Sequence, residues 1–453
     1  TDSFNTAVGF DAGVAVTTAT ENVLIGGLAG DALINGGQNV AVGHAALSAE
    51  DGHGQNVAIG YLALVAQNAG ATGFNTAVGS QAGQAVTTGT NNTLVGGLAG
   101  DAFTDADFNV GVGKNALGSD TLGSKSTAIG TFALETQNFT TATDALNTAV
   151  GYYAGLSVST GVQNTLIGGL AGDALTTGSY NVVVGHEALS TEDAHGNNVA
   201  IGNRALKTLN AGTAGLNTAV GDDAGTAVTT GIRNTLVGSE AGDALIDADD
   251  NVAVGALSLS ADTYGSKSTA IGRGALKVQN FTTASDSHNT AVGYSAGELV
   301  STGIQNTFVG SLAGDATTTA SKNVGMGTNA LSTNILGSNS TAVGTAALFT
   351  QNPATATDMH NTAVGFEAGK LISTGVNNTL IGGLAGSVLT GGDNNLLLGK
   401  GAGLVGAPGG AFTNNDNQIV LGNDSSANAF IKIDWTVGSD QRDKTDIKNL
   451  PDN

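Results

Sequence analysis

Asn5-Thr6-Ala7-Val8-Gly9, followed by Ala12-Gly13, is the stretch that decides the fold, because it keeps coming back. It returns as Asn22-Val23-Leu24-Ile25-Gly26, Asn39-Val40-Ala41-Val42-Gly43 and Asn56-Val57-Ala58-Ile59-Gly60, then from Asn75 and Asn92 onward to Asn395. The usual step is 17 residues, and Ser126, Ser268 and Ser340 take the place of the anchor Asn. A fixed short period is the signature of a repeat architecture. Within each unit the residues one and three after the anchor are β-branched or aliphatic, the alternation of a short strand. The residue between them is mostly Ala or Leu, so both faces read as apolar and the strand is expected to be buried on both sides. Gly closes the strand at Gly9, Gly26, Gly43 and Gly60, where the backbone is expected to need a positive φ or a close approach. A second, weaker alternation, as in Val14-Ala15-Val16, suggests a second strand in each unit.

Units this short cannot enclose a core alone, but they can when each is one coil of a solenoid resting on the next. The expected fold is therefore all-β: a parallel β-solenoid, or β-roll, of about 23 short coils. At ~4.8 Å per coil the rod would be on the order of 110 Å long. Stacking would put Asn5, Asn22, Asn39, Asn56, Asn75 and Asn92 in one column, their amides forming a ladder.

A longer period overlies the short one. Three steps of 17 residues are followed by one of 19 or 21, so super-repeats start at Asn5, Asn75, Asn147, Asn217, Asn289 and Asn361. The first two coils of each carry Ala-Gly after the turn, as at Ala12-Gly13, and the next two carry Ala-Leu, as at Ala46-Leu47. The extra residues fall in the fourth coil, as in Gln67-Asn68-Ala69-Gly70 and Gln137-Asn138-Phe139-Thr140. Insertions in solenoids map to surface loops, so Phe139 and Phe281 are read as exposed contact residues.

The third coils alternate between Glu50-Asp51-Gly52-His53 or Glu192-Asp193-Ala194-His195 and the His-free Ser119-Asp120 and Ala261-Asp262. Because other copies lack His, these read as variable turn residues. No metal site and no cofactor are expected. Asp31, Asp101, Asp173, Asp243 and Asp315 share one position in the second coils and read as turn-capping residues.

With 15 Lys and Arg against 37 Asp and Glu, the chain carries a net charge of −22, which argues against nucleic acid as a partner. No apolar run approaches the ~18 residues of a spanning helix, so no membrane insertion is expected. The chain has no Cys, which leaves the redox compartment open. Paired carboxylates in a groove, with aromatics for stacking sugars, are not evident, so a polysaccharide-degrading enzyme is a minor reading.

The coil motif resembles the left-handed β-roll heads of trimeric autotransporter adhesins and the repeats of bacteriophage tail fibres. Further on, Asn417-Gln418-Ile419-Val420-Leu421-Gly422-Asn423 and Trp435-Thr436-Val437-Gly438-Ser439-Asp440-Gln441-Arg442-Asp443-Lys444 resemble the entry to the self-cleaving intramolecular chaperone domain of phage tailspikes. The resemblance implies a homotrimer and a Ser439–Lys444 dyad that cleaves once between Ser439 and Asp440, with no other enzymatic activity. It divides the chain into a shaft (1–404), a connecting loop with a terminal β segment (405–438) and the start of a truncated chaperone domain (439–453). The function it implies is a structural fibre shaft on a virion or cell surface, with a host receptor or other fibre and baseplate proteins as partners. A bacterial adhesin head is the alternative.

Overall fold

The computed structural model describes residues 3–426. Each coil contributes one three-residue strand, beginning with Thr6–Val8, Val23–Ile25 and Val40–Val42 and ending with Ile419–Leu421. Among the described residues these strands form a single sheet of 24, all pairings parallel and in register, so that Thr6 faces Val23 and Val23 faces Val40. The sheet therefore runs past residue 404: Ile419–Leu421 pairs with Leu396–Leu398 as any other coil does.

The expected second strand is not formed in most coils. The stretch after the strand-ending Gly is a chain of tight turns held by left-handed backbone. In the second coil Glu21, Leu28 and Gly30 have φ of 64°, 60° and 54°, and the pattern recurs along the rod. Isolated left-handed residues other than Gly cost roughly 1–2 kcal/mol each. Leu47, Leu64, Leu117 and Leu134 accept that cost at φ of 49–56° because each buries its whole side chain. Such burial contributes about 1.5–3 kcal/mol. A second short pairing does form beside the longest insertions, where Gly123–Ser124 pairs with Thr143–Asp144, Gly265–Ser266 with Ser285–Asp286, and Gly337–Ser338 with Thr357–Asp358.

The strands are not buried on both sides within one chain. The central residue points inward and is fully buried from Leu24 onward, while its two neighbours lie half-exposed in most coils. Volume is balanced between successive coils. Where the strand centre is large, as at Leu94, Leu166 and Leu236, the residue six positions on is Gly100, Gly172 or Gly242. Where it is Ala58 or Ala128, that residue is Leu64 or Leu134. A Cβ added at Gly100 would lie 2.8 Å from both Leu94 Cδ2 and Phe103 Cδ2, so the Gly there is a packing requirement.

Candidate functional site

The repeated side chains line up in columns that run along the sheet. The Asn column is one. The Oδ1 of Asn5 accepts the Asn22 main-chain N–H at 2.9 Å, that of Asn22 accepts Asn39 N–H at 2.8 Å, and that of Asn39 accepts Asn56 N–H at 3.0 Å. The series continues from Asn56 to Asn75 at 3.1 Å and from Asn75 to Asn92 at 2.8 Å. The Nδ2 groups of Asn22, Asn75 and Asn92 donate to the carbonyls of Gly36, Gly89 and Ala106, 14 residues ahead. The ladder thus runs mainly from side chain to main chain, and only some rungs, such as Asn22 to Asn5, also link amide to amide. It satisfies peptide groups that the tight corner would otherwise bury unpaired, each of which would cost about 1–3 kcal/mol.

The Gly column is the second. Gly9, Gly26, Gly43 and Gly60 have φ of 140°, 134°, 141° and 141°, and a Cβ on any of them would run into the carbonyl of the corresponding Gly one coil on. Both reasons for Gly, backbone conformation and close approach, apply at once.

The third column begins 11 residues after the anchor and points into the core. It reads Val16, Leu33, Glu50, Gln67 in the first super-repeat and Val86, Phe103, Asp120, Gln137 in the second. The first five super-repeats therefore turn polar inside their third coil, at Glu50, Asp120, Glu192, Asp262 and Asn334. Asp120 is fully buried: Oδ1 accepts Gly123 N–H at 3.0 Å and Phe139 N–H at 3.3 Å, and Oδ2 accepts Gln137 Nε2 at 2.5 Å. Burial raises its pKa above the ordinary carboxylate value, against the opposing pull of these donors. Gln137 in turn reaches Ser126 Oγ and accepts Asn147 Nδ2 at 2.8 Å, which carries the ladder across the 21-residue step where Ser126 has no amide to offer. Asp262 and Gln279 repeat the arrangement. In the fifth super-repeat Asn334 takes the acceptor's place, with Oδ1 on Gly337 N–H at 3.0 Å.

Two readings of the sequence are corrected here. Phe139 and Phe281 are not exposed contacts; they are 6% and 7% exposed. Each ring folds back onto the preceding coil, where a Cβ added at Gly123 or Gly265 would lie 2.8 Å from it. The third-coil residues Glu50, Asp120, Glu192 and Asp262 are not variable surface turns but fully buried acceptors, as Gln67, Gln137, Gln279 and Gln351 are buried beside them. The signal was present: counting 11 residues from each anchor puts all of these in register with Val86 and Leu33, which must point inward.

The outer face carries a fourth column. The last residue of every strand in the main sheet is Val, Ile, Leu or Met, from Val8, Ile25 and Val42 to Ile381, Leu398 and Leu421. These side chains remain partly accessible along the whole rod; Ile59, Ile167 and Ile271 are each 38% exposed.

The second-coil row, Asp31, Asp101, Asp173, Asp243 and Asp315, is half-buried. Burial raises the carboxyl pKa of Asp101, Asp173 and Asp315, and pushes that of Asp243 up to about 6. An open polar groove of about 310 Å³ runs beside the first third-coil corner, lined by Thr20, Gly37, Gln38, Gly54, Gln55 and Thr72. Ser439 and Lys444 lie outside the described residues. No known protein family and no characterised protein matches the chain.

Proposed function

We propose that the chain is the shaft of an extracellular fibre, associated as a homotrimer through the aliphatic column on its sheet face. The observation that carries this is the unbroken row of Val, Ile, Leu and Met along all 24 strands, half-open to solvent in a single chain. Solvent-exposed positions have no physical need for such uniformity, and contiguous apolar strips of this length mark interaction surfaces. A sister chain would satisfy the second apolar face that each strand carries. Three-fold presentation would raise avidity for a cell surface without any new contact. The acidic charge of −22 per chain keeps such rods apart in solution and favours neutral or basic targets.

The resemblance of the segment around Ser439 supports a phage tail fibre, with a receptor or other fibre proteins as partners, over a bacterial adhesin head. It also supports a single cleavage in which Lys444 takes the proton of Ser439. The chain has no native Cys, which makes the association directly testable. Val220→Cys on the stripe should give disulfide-linked chains on a non-reducing denaturing gel. Single-chain bands alone under full oxidation would contradict association through this face. Fragment masses around residue 439 test the cleavage separately.

A further inference from the structure

We infer that the two His-bearing corners, Glu50-Asp51-His53 and Glu192-Asp193-His195, are binding sites for a first-row divalent metal ion such as Zn²⁺. In each, one imidazole nitrogen and an oxygen from each of two carboxylates lie within 4.8 Å of one another. A mixed set of imidazole and carboxylate donors suits Zn²⁺ and its neighbours, whereas Ca²⁺ and Mg²⁺ favour oxygen alone.

The independent observation is an unmet bonding need inside the protein. Glu50 is fully buried, and its Oε2 has no hydrogen-bond partner. His53 Nδ1 lies 3.3 Å from Glu50 Oε1 and also lacks a hydrogen bond of acceptable geometry. The His-free corners do not share this deficit, because Asp120 and Asp262 each receive two main-chain N–H groups and a Gln amide. In the first super-repeat Gln67 turns instead to Asn56 and Asn75. In the third, Leu209 stands where Gln would be; Glu192 Oε2 receives the Ala211 N–H at 3.3 Å and Glu192 Oε1 pairs with His195 Nδ1 at 3.1 Å, so the unmet need belongs to the first corner and the third repeats its donor set. His appears in the two corners where no side-chain amide serves the buried carboxylate. A cation shared between the imidazole and the two carboxylates would supply the missing charge compensation.

The ligands are also held in place. Glu50 Oε1 accepts His53 N–H at 2.9 Å, Glu192 Oε1 accepts His195 N–H at 3.0 Å, and the anchor amides of Asn39 and Asn181 donate to the two His carbonyls. His53 and His195 side chains are partly open, at 29% and 25%, so an ion has a way in. The remaining coordination positions would be filled by water, and the site would act as a staple for the corner.

The test is titration of the metal-free full chain with Zn²⁺ by calorimetry, with Co²⁺ as a spectroscopic probe. The expected result is one ion at each of the two corners, visible-region Co²⁺ bands from nitrogen and oxygen ligation, and no competition from Mg²⁺. His53→Ala should remove one site and His53→Ala with His195→Ala both, with the β-sheet circular dichroism unchanged. If those variants fold poorly, Asp51→Asn and Asp193→Asn, at exposed side chains, should still weaken binding by more than ~10-fold, the lower end of what even an outer-shell partner contributes. Absence of Zn²⁺ binding to the parent chain would overturn the inference, and so would binding that these variants leave unchanged. The count is per chain and does not depend on whether chains associate.

Discussion

The first two coils of each super-repeat and the last two use the same strand, the same Asn corner and the same Gly turn, yet they fill their interiors differently. In the second super-repeat the first pair is apolar: Val86 and Phe103 point inward, and Gly83 and Gly100 leave room for Leu94. The second pair brings Leu117 and Leu134 in from the other side and places Asp120 and Gln137 where Val and Phe stood. The template fixes the backbone; the core only has to keep its volume and satisfy its polar atoms. The polar pair sits where the coil lengthens, because a longer corner frees peptide groups that an apolar core would leave unpaired.

This contrast can be broken at defined points. The largest effect is expected from importing one solution into the other. Gly100→Leu would drive a side chain into Leu94 and Phe103 and should cost about 3 kcal/mol or more. Adding Leu94→Ala, which recreates the third-coil pairing, should recover part of that loss. Because long repeat arrays do not unfold as one unit, amide hydrogen exchange at the altered coils is the suitable measurement.

Next in size, Asp120→Ala strips acceptors from Gly123 N–H, Phe139 N–H and Gln137 Nε2, and should cost roughly 2–3 kcal/mol. Asp120→Asn should stay within about 1 kcal/mol, since Asn334 already fills the same place. Equal damage from both would show that charge, not hydrogen-bond acceptance, holds the corner.

The smallest effect concerns pH. Asp243 has its folded pKa raised from 3.8 to about 6, so the folded chain holds a proton that the unfolded chain has released over this range. Stability from this group is therefore present in full below about pH 4 and lost as pH rises through about 6. Asp243→Asn should raise the melting temperature slightly at pH 7 and flatten its dependence between pH 4 and 6. An unchanged profile would place the Asp243 carboxyl in water.

The period, the strands and the Asn column were legible in the sequence because each rests on a local pattern repeated many times. Phe139 reads as exposed in the sequence because an insertion ordinarily leaves the body of a solenoid. Here Gly123, the residue whose missing side chain admits the ring, lies in the preceding coil, 16 positions away. Val14-Ala15-Val16 alternates as a strand does, but left-handed residues at Asp11 and Gly13 bend the stretch into turns. The buried carboxylates are hard to see in the sequence because Glu and Asp beside Gly and His resemble an open turn until they are counted from the anchor.

Within one chain the apolar faces are sheltered by stacking, and the proposed trimer would cover the aliphatic column that stacking leaves open. Light scattering on the native particle, set beside the mass of the denatured chain, tests this most directly. A native mass three times that of one chain, in an elongated particle, is the expected result. A monodisperse native particle with the 44.3 kDa mass of one chain would contradict it.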